Sequence, residues 1–469
     1  MTSIATGPET ALDKPSQEAP PRTGRLIAFS LMSVPVNAAQ VPLTVYLTPI
    51  YAQYFGLSLK ALGLIFLLER LWGAAADPLI GVLSDRTRSR WGRRKPWIAA
   101  GALIFALAGV PMFFPSPGVT PLHLGVVLFA FYLGWSMIQI PYFAWSGELS
   151  SDYHQRTRIV TYQQVAIAIS LVLVLILPMA LEQWRPGDGA LKLGAMGGFV
   201  IASVIVATLF TLPAFPEPQV EQHRAPRAAL ATTLRLIARE TLLLRVLGSD
   251  FAINLAQNIR GTLFVFFVVQ VAGLPQWAAG LFLLQFLFGI LAGPIWLRVG
   301  YRFGKHQAAI IGELVQVACN LGLLFVTPGA LPLLAGLTVV QGLAQGSGNQ
   351  MLRAIVADVA DKHRLDTGVD RSALFFSVFS LAAKAAMAAA IGIALPLIAW
   401  LGFNPAGSNT AEALRGVALV FAVGPALAHV VAAWLVYGFP LDEQAHDRIR
   451  RALAARDAQP IVEPADGLG

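Results

Sequence analysis

Cysteine is nearly absent from this sequence: Cys319 stands alone among 469 residues. No intrachain disulfide can form, and the position of Cys319 in an apolar run makes it a small packed side chain. Charge is scarce too. Asp, Glu, Lys and Arg fill 13% of positions and hydrophobic residues 56%, against ~25% charged in a typical soluble domain. That leaves too little polar surface to solvate the chain in water, and the solvent it implies is lipid. Histidine is thin as well, since six of the seven lie in loops or at the ends of apolar runs and only His429 lies inside one. With no nucleophile or metal-ligand spacing either, a membrane-embedded enzyme or receptor has nothing to build on, and neither a metal nor a cofactor is expected. The net charge of +8 comes from bases in short loops between apolar runs, which read as topology determinants and not as a nucleic-acid surface.

What is present is a series of apolar runs, each about the length needed to cross ~30 Å of hydrocarbon as a helix. They fall near 26–52, 60–84, 96–115, 122–149, 157–183, 193–215, 246–272, 277–300, 306–327, 331–358, 370–401 and 412–438. Loops after the even-numbered runs are basic, holding Arg86 to Lys95, Arg156 and Arg158, Arg224 to Arg245, Arg298 to Lys305, and Lys362 to Arg371. The positive-inside rule then puts both termini in the cytoplasm of an integral plasma-membrane protein, a bacterial inner membrane being expected. Residues 1–25 read as a cytoplasmic tail with no signal-peptide core, 26–215 as one six-helix bundle, 216–245 as a cytoplasmic central loop, 246–438 as a second bundle, and 439–469 as a second tail. Arg90-Trp91-Gly92-Arg93 after the second run is echoed by Arg302-Phe303-Gly304-Lys305 after the eighth, as expected of a parallel-repeat transporter.

Ionisable groups at bilayer depth cost several kcal/mol and tend to face a cavity or a partner. Arg70 and Asp77 in the second run are seven residues apart on one helix face, and Lys384 lies in the small-residue stretch LAAKAAMAAA of the eleventh. Asp77 is a candidate protonatable coupling site with Arg70 and Lys384 as basic neighbours; the structural alternative is a fixed ion pair between Asp77 and Arg70 or Lys384. Asp250, Asn254, Gln257, Asn258 and Arg260 form a stripe on the seventh run, which either lines an aqueous path or packs on another helix. Asn37 and Gln40 make a shorter stripe on the first. Trp135, Gln139, Tyr142 and Phe143 set an amide among rings on the fourth, a combination that suits a sugar or a packed aromatic core. The elbow bases Arg86, Arg88, Arg90, Arg93 and Arg94 can gate the cytoplasmic side by pairing with Glu148, Asp152, Asp358 or Asp361 in the outward-facing state, or can simply fix topology and hold anionic lipid.

DPLIGVLSDRTRSRWGRRKPW, IPYFAWSGELSSDYHQRTRI and VADVADKHRLDTG, followed by Lys384, resemble the glycoside-pentoside-hexuronide cation symporters, the melibiose permease branch of the major facilitator superfamily. SRWGRRKPWIAAGA is also similar to plant sucrose transporters. The resemblance implies an all-α membrane protein of the major facilitator superfamily fold, with twelve transmembrane helices in two six-helix bundles, a central solute site and alternating access. It also implies a sugar or glycoside as the small polar solute, with no obligate protein partner. Within that pattern Asp77 matches the second acid of the cation site, while the first falls on Gly73. The sugar-site acids and arginine fall on Asn37, Gln139 and Gln164, and Arg70 and Lys384 match basic positions. Sodium needs several anionic oxygens and a proton needs one acid, so proton symport is favoured over sodium. Glu69 is a candidate second acid, about 80° around the helix. The alternative function is an exporter or uncoupled facilitator of an amphiphilic non-sugar solute.

Overall fold

The computed structural model describes residues 22–149, 153–185, 187–217 and 237–457, and every described helix runs without a strand beside it. Twelve long helices follow the hydropathy pattern: α1 (Thr23–Tyr54), α2 (Leu59–Arg86), α3 (Lys95–Phe113), α4 (Pro121–Glu148), α5 (Tyr153–Trp184), α6 (Gly189–Ala214), α7 (Thr241–Val271), α8 (Pro275–Phe303), α9 (Lys305–Phe325), α10 (Leu331–Thr367), α11 (Ser372–Trp400) and α12 (Ala411–Val436). Ten contain a segment long and apolar enough to span a bilayer. The exceptions, α2 and α10, hold 28 and 37 residues. They carry the intramembrane charges Glu69, Arg70 and Asp77 and the glutamines Gln341 and Gln345, so it is their polarity, not their length, that sets them apart.

Helix ends explain why the chain turns where it does. Ser58, Thr120, Asp188 and Thr410 precede α2, α4, α6 and α12, and each side-chain oxygen accepts a hydrogen bond from the amide three residues on. Such N-caps satisfy amides that have no intrahelical partner. At the opposite end Arg86, Arg302 and Arg364 occupy the last turns of α2, α8 and α10, where a cation complements the carbonyl end of the helix dipole. The molecule therefore has one basic end and one end of neutral, capped turns. Within each half, small residues permit close approach. A Cβ built on Gly134 of α4 would stand 2.8 Å from the Gly101 carbonyl of α3, so these helices touch backbone to backbone, as expected where lipid supplies no hydrophobic drive between helices.

The two halves meet at the neutral end and part at the basic end. Gly63 of α2 lies against Leu395 and Pro396 of α11, Gly392 against Leu67, and Gly280 of α8 beside Met179 of α5. A π-helical turn in α1, Pro42–Tyr46, packs on α7. One apolar core runs through these contacts, from Leu43 and Ile50 to Phe266, Ile391 and Ile398. At the basic end, residues of α7, α10, α11 and α12 form a separate core with no N-terminal-half member.

Several boundaries differ from the sequence reading. α7 begins at Thr241 and not near 246, and α10 continues to Thr367 and not 358, because polar residues extend a helix beyond the hydrocarbon as readily as apolar ones. The segment read as a tail at 439–469 contains a helix, α13 (Glu443–Asp457). Leu441, Ile449 and Leu453 are buried with residues of α7, α10 and α11, and Arg456 donates to the Arg364 carbonyl at 3.0 Å. The 1–25 tail lies almost wholly outside the described residues, as do 218–236 of the central loop and Asp152.

Candidate functional site

Three groups of polar residues sit between the helices, and the first bridges the halves. Asp77 of α2 accepts a hydrogen bond from Ser136 of α4 at 2.6 Å and pairs with Lys384 of α11. Lys384 reaches from the C-terminal half because the alanines around it let α11 lie close to α2. The partner of Asp77 is thus Lys384 and not Arg70. Arg70 points elsewhere: its Nε lies 3.4 Å from the Glu69 carboxylate, and its guanidinium sits 5.0 Å over the Tyr132 ring. Tyr132 in turn stacks on Trp135 at 5.1 Å, whose indole Nε1 is buried without a hydrogen-bond partner. Glu69 is 1% exposed and its carboxylate faces its sequence neighbour Arg70. Arg70, Tyr132 and Trp135 make one column next to Asp77 and Ser136.

The other N-terminal candidates divide. Tyr142, expected at the solute, is fully buried, and its hydroxyl contacts the Ser33 hydroxyl at 3.0 Å and donates to the Phe29 carbonyl at 3.1 Å. That is core packing, because the ring faces α1 and is closed off by Phe29. Phe143 is exposed, one residue on and turned outward. Asn37 donates to the Ser33 carbonyl of its own helix at 2.8 Å, which leaves its second N–H and its amide oxygen for other partners. Gln40 and Gln164 are exposed and Gln139 is part-buried.

The second group lies within the C-terminal half. A cavity of about 100 Å³ is walled by Gln257 of α7, Gln285 of α8, Gln316 of α9, Gln341 and Gln345 of α10, and Arg260 of α7. Phe264 and Phe282 add an apolar side, their rings 5.2 Å apart. The glutamines are loosely joined: Gln285 donates to Gln345 at 3.3 Å, Gln316 to the Gln341 carbonyl at 3.3 Å, and Gln341 to Asn320 at 3.4 Å. Beside the cavity, His429 of α12 and Glu313 of α9 are buried and bonded to each other. Of the expected α7 stripe, Gln257 and Arg260 reach this cavity. Asn254 and Asn258 donate back to the Asp250 and Asn254 carbonyls at 2.8 Å, which shortens their reach. Gln285, Gln316, Gln341 and Gln345 went unseen in the sequence, where they are scattered amides on three mostly apolar runs; those helices had to converge with α7 before they became a site.

The third group is at the basic end. Glu148 of α4 accepts from Arg93 at 2.8 Å and from Arg94 at 2.7 Å, and Arg94 also pairs with Asp85 at 2.6 Å. Asp358 of α10 pairs with Lys305 at 2.7 Å and with His446 of α13 at 3.2 Å, and Asp361 lies 3.5 Å from His446. Among the described residues these pairs each stay within one half. Among the described residues no pair joins Arg86, Arg90 or Arg93 to Asp358 or Asp361, a pairing expected of the outward-facing state. Arg94, one of the elbow bases, is 5% exposed and joins both Asp85 and Glu148.

The description MFS/sugar transport protein matches residues 28–443. The chain belongs to that family. Its relatives include the isoprimeverose transporter of Lactiplantibacillus pentosus, 22% identical over 89% of this chain and 88% of that protein. The glucuronide carrier protein homolog of Escherichia coli is 23% identical over 89% and 93%, and a Bacillus subtilis symporter, YjmB, is 24% identical over 86% and 89%. Among solved structures, a bacterial homolog of the human lysosomal transporter Spinster superposes with a TM-score of 0.67 at 13% identity, covering 92% of this chain and 98% of that one. The nucleoside transporter NupG gives 0.64 at 13%, over 89% and 100%. The fold is that of the major facilitator superfamily, and this family member is an integral membrane secondary transporter of a small polar solute, not an enzyme.

Proposed function

We propose that the protein is a proton-coupled symporter of a sugar or glycoside, with Asp77 as the proton site. The observation that carries the reading is the Asp77–Lys384 ion pair, formed by one helix from each half. An ionised Asp77 attracts the Lys384 ammonium and ties α2 to α11; a protonated Asp77 loses that attraction and keeps only its neutral hydrogen-bonding capacity toward Ser136. One proton thereby changes the force between the two bodies that must rock, so binding it shifts their equilibrium. Gly73, one turn before Asp77, contributes no carboxylate, and Glu69 is tied to Arg70. A single oxygen pair with an ammonium already on it suits a proton better than a sodium ion, which needs several anionic ligands.

The solute lies between the Asp77, Ser136 and Trp135 cluster of the N-terminal half and the glutamine cavity of the C-terminal half. Amides both donate and accept, as sugar hydroxyls do, and Trp135 and Phe282 offer rings to the sugar's C–H faces. With the basic end cytoplasmic by charge, the parted ends open the site to the cytoplasm. The basic clusters around Glu148 and Asp358 hold each half's own loops in this state. Uptake into proteoliposomes driven by an imposed pH gradient, with and without sodium, tests the reading: accumulation should follow the pH gradient and ignore sodium. Accumulation that required sodium would end it.

A further inference from the structure

The wall of the glutamine cavity carries one fixed charge, and an opposite charge stands just behind that wall. Arg260 is 6% exposed, its guanidinium lies 5.3 Å from the Phe421 ring centroid, and among the described residues it forms no ion pair. Its Nε and Nη1 are buried without a hydrogen-bond partner. A cation–π contact stabilises such a charge by less than its burial costs. No acid is among the residues lining the cavity. Glu313 sits one turn before the cavity-lining Gln316 on α9, is 2% exposed, and is bonded to Nδ1 of His429, which itself lines the cavity. The carboxylate fits because α10 has no side chain at Gly348, where a Cβ would overlap Glu313 Oε1. Arg260 and Glu313 are therefore opposite charges within one bundle, with the His429 ring between the carboxylate and the cavity.

The proton count on Glu313 and His429 decides what the cavity meets. With one proton shared by the carboxylate and Nδ1, the pair carries a net single negative charge and Nε2 is a bare acceptor. With a second proton the pair is neutral and, wherever the first proton rests, Nε2 is a donor. A pair that served packing alone would be neutral, because an uncompensated buried charge is costly. Beside Arg260 the balance reverses, since the negative state brings the enclosed charges to zero. We infer that Glu313 and His429 share one proton, that their negative charge is the counter-charge of Arg260, and that Nε2 of His429 is held bare as a hydrogen-bond acceptor in the solute site. Glu313 is the positioning residue, fixing the tautomer through Nδ1. A solute hydroxyl seated here accepts from the guanidinium and donates to the imidazole. The glutamine amides cannot impose that direction, because each both donates and accepts; Arg260 only donates and His429 only accepts. This inference rests on the transport reading for its solute but not on its proton site, since Asp77 and Lys384 belong to another cluster.

The test is nitrogen NMR of the purified full chain labelled in its histidine rings, which separates protonated from bare ring nitrogens. His429→Gln identifies the His429 signals among those of the seven histidines. At neutral pH the wild type should show a protonated Nδ1 and a bare Nε2 at His429. In Arg260→Gln the bare Nε2 signal should be lost and replaced by Nε2–H, because the pair no longer has a positive charge to balance; Arg260→Lys should retain it. Saturating glucose, used as the hydroxyl probe, should move the wild-type Nε2 resonance. A protonated Nε2 in the wild type overturns the inference and needs no variant to read. So does a bare Nε2 that persists unchanged in Arg260→Gln, which would mark a pair indifferent to Arg260, and an Nε2 resonance unmoved by glucose overturns the acceptor role. Failure of the symport reading is separable: accumulation that required sodium would end proton coupling and leave the His429 spectrum as expected.

Discussion

Replacing Asp77 by Asn separates energy coupling from transport. Asparagine keeps an oxygen for the Ser136 hydroxyl, 2.6 Å away in the native chain, and removes the carboxylate that pairs with Lys384. The side chains of Lys384 and Asp77 are 47% and 19% exposed, and a pair this open to solvent is worth ~0.2–1 kcal/mol. Folding stability should therefore move by less than about 1 kcal/mol, and the variant should purify normally. Coupling, by contrast, is all or none. One unit of pH difference is about 1.4 kcal/mol per proton, which is a tenfold gradient of solute for one-to-one symport. Proteoliposomes with wild-type protein should approach that tenfold accumulation, and Asp77→Asn should equilibrate solute to a ratio near one while retaining exchange of labelled for unlabelled solute. Proton-driven accumulation surviving in Asp77→Asn would refute the assignment. Loss of exchange together with accumulation would place Asp77 in solute binding instead.

Four further outcomes are expected. His429→Ala leaves the Glu313 carboxylate, 2% exposed, without its partner, and breaking such a pair costs about 3–5 kcal/mol; thermal unfolding in detergent should show the largest loss of any variant considered, and an unchanged midpoint would contradict the buried pairing. Gly134→Val forces a side chain into the Gly101 carbonyl of α3, an overpacking of roughly 1–3 kcal/mol or more, readable as a lowered unfolding midpoint that Gly125→Val, at a site with open space around it, should not share. Glu148→Gln keeps an amide oxygen but removes the negative charge that Arg93 and Arg94 share within one half, so it should destabilise the chain by about 1–3 kcal/mol without altering which side of the site reacts with a cysteine reagent; a shift in accessibility would support a gating role. Asp370, in the exposed loop before α11, is held below the usual carboxylate range, chiefly by the Ser372 amide at 2.9 Å and then by the Ser372 hydroxyl. Its contribution is present above the unfolded value of about pH 4 and fades as pH falls through the lower folded value. Asp370→Asn should then differ from wild type at pH 7 and converge with it in strong acid.

Much of the architecture was legible from composition because the bilayer imposes it. Apolar run length set the spans, loop charge set the two ends, and the Arg90–Arg93 and Arg302–Lys305 echo marked the two halves. The site was legible only in part, for reasons visible residue by residue. Asp77 and Lys384 announced themselves as charges in apolar sequence, which is a local signal. Tyr142 sat on the same α4 face pattern as Trp135, yet packing on Phe29 and Ser33 buried it, and no periodicity distinguishes a ring facing a cavity from one facing a neighbouring helix. Asn254 and Asn258 read as a polar stripe, but each amide turned back onto its own helix.

The sequence by itself determined that this chain must live in lipid, cross it repeatedly, and keep a few acids and bases at depth, since those follow from transfer free energies that each residue carries alone. Only the tertiary structure decided that Asp77 pairs with Lys384 307 positions away and not with Arg70 on its own helix, that five glutamines from four helices converge on one cavity, and that Arg260 is buried among them against the Phe421 ring. The physical reason is that pairing energies depend on distance and orientation between helices, and those are fixed by close packing of small residues in three dimensions, which no one-dimensional spacing records.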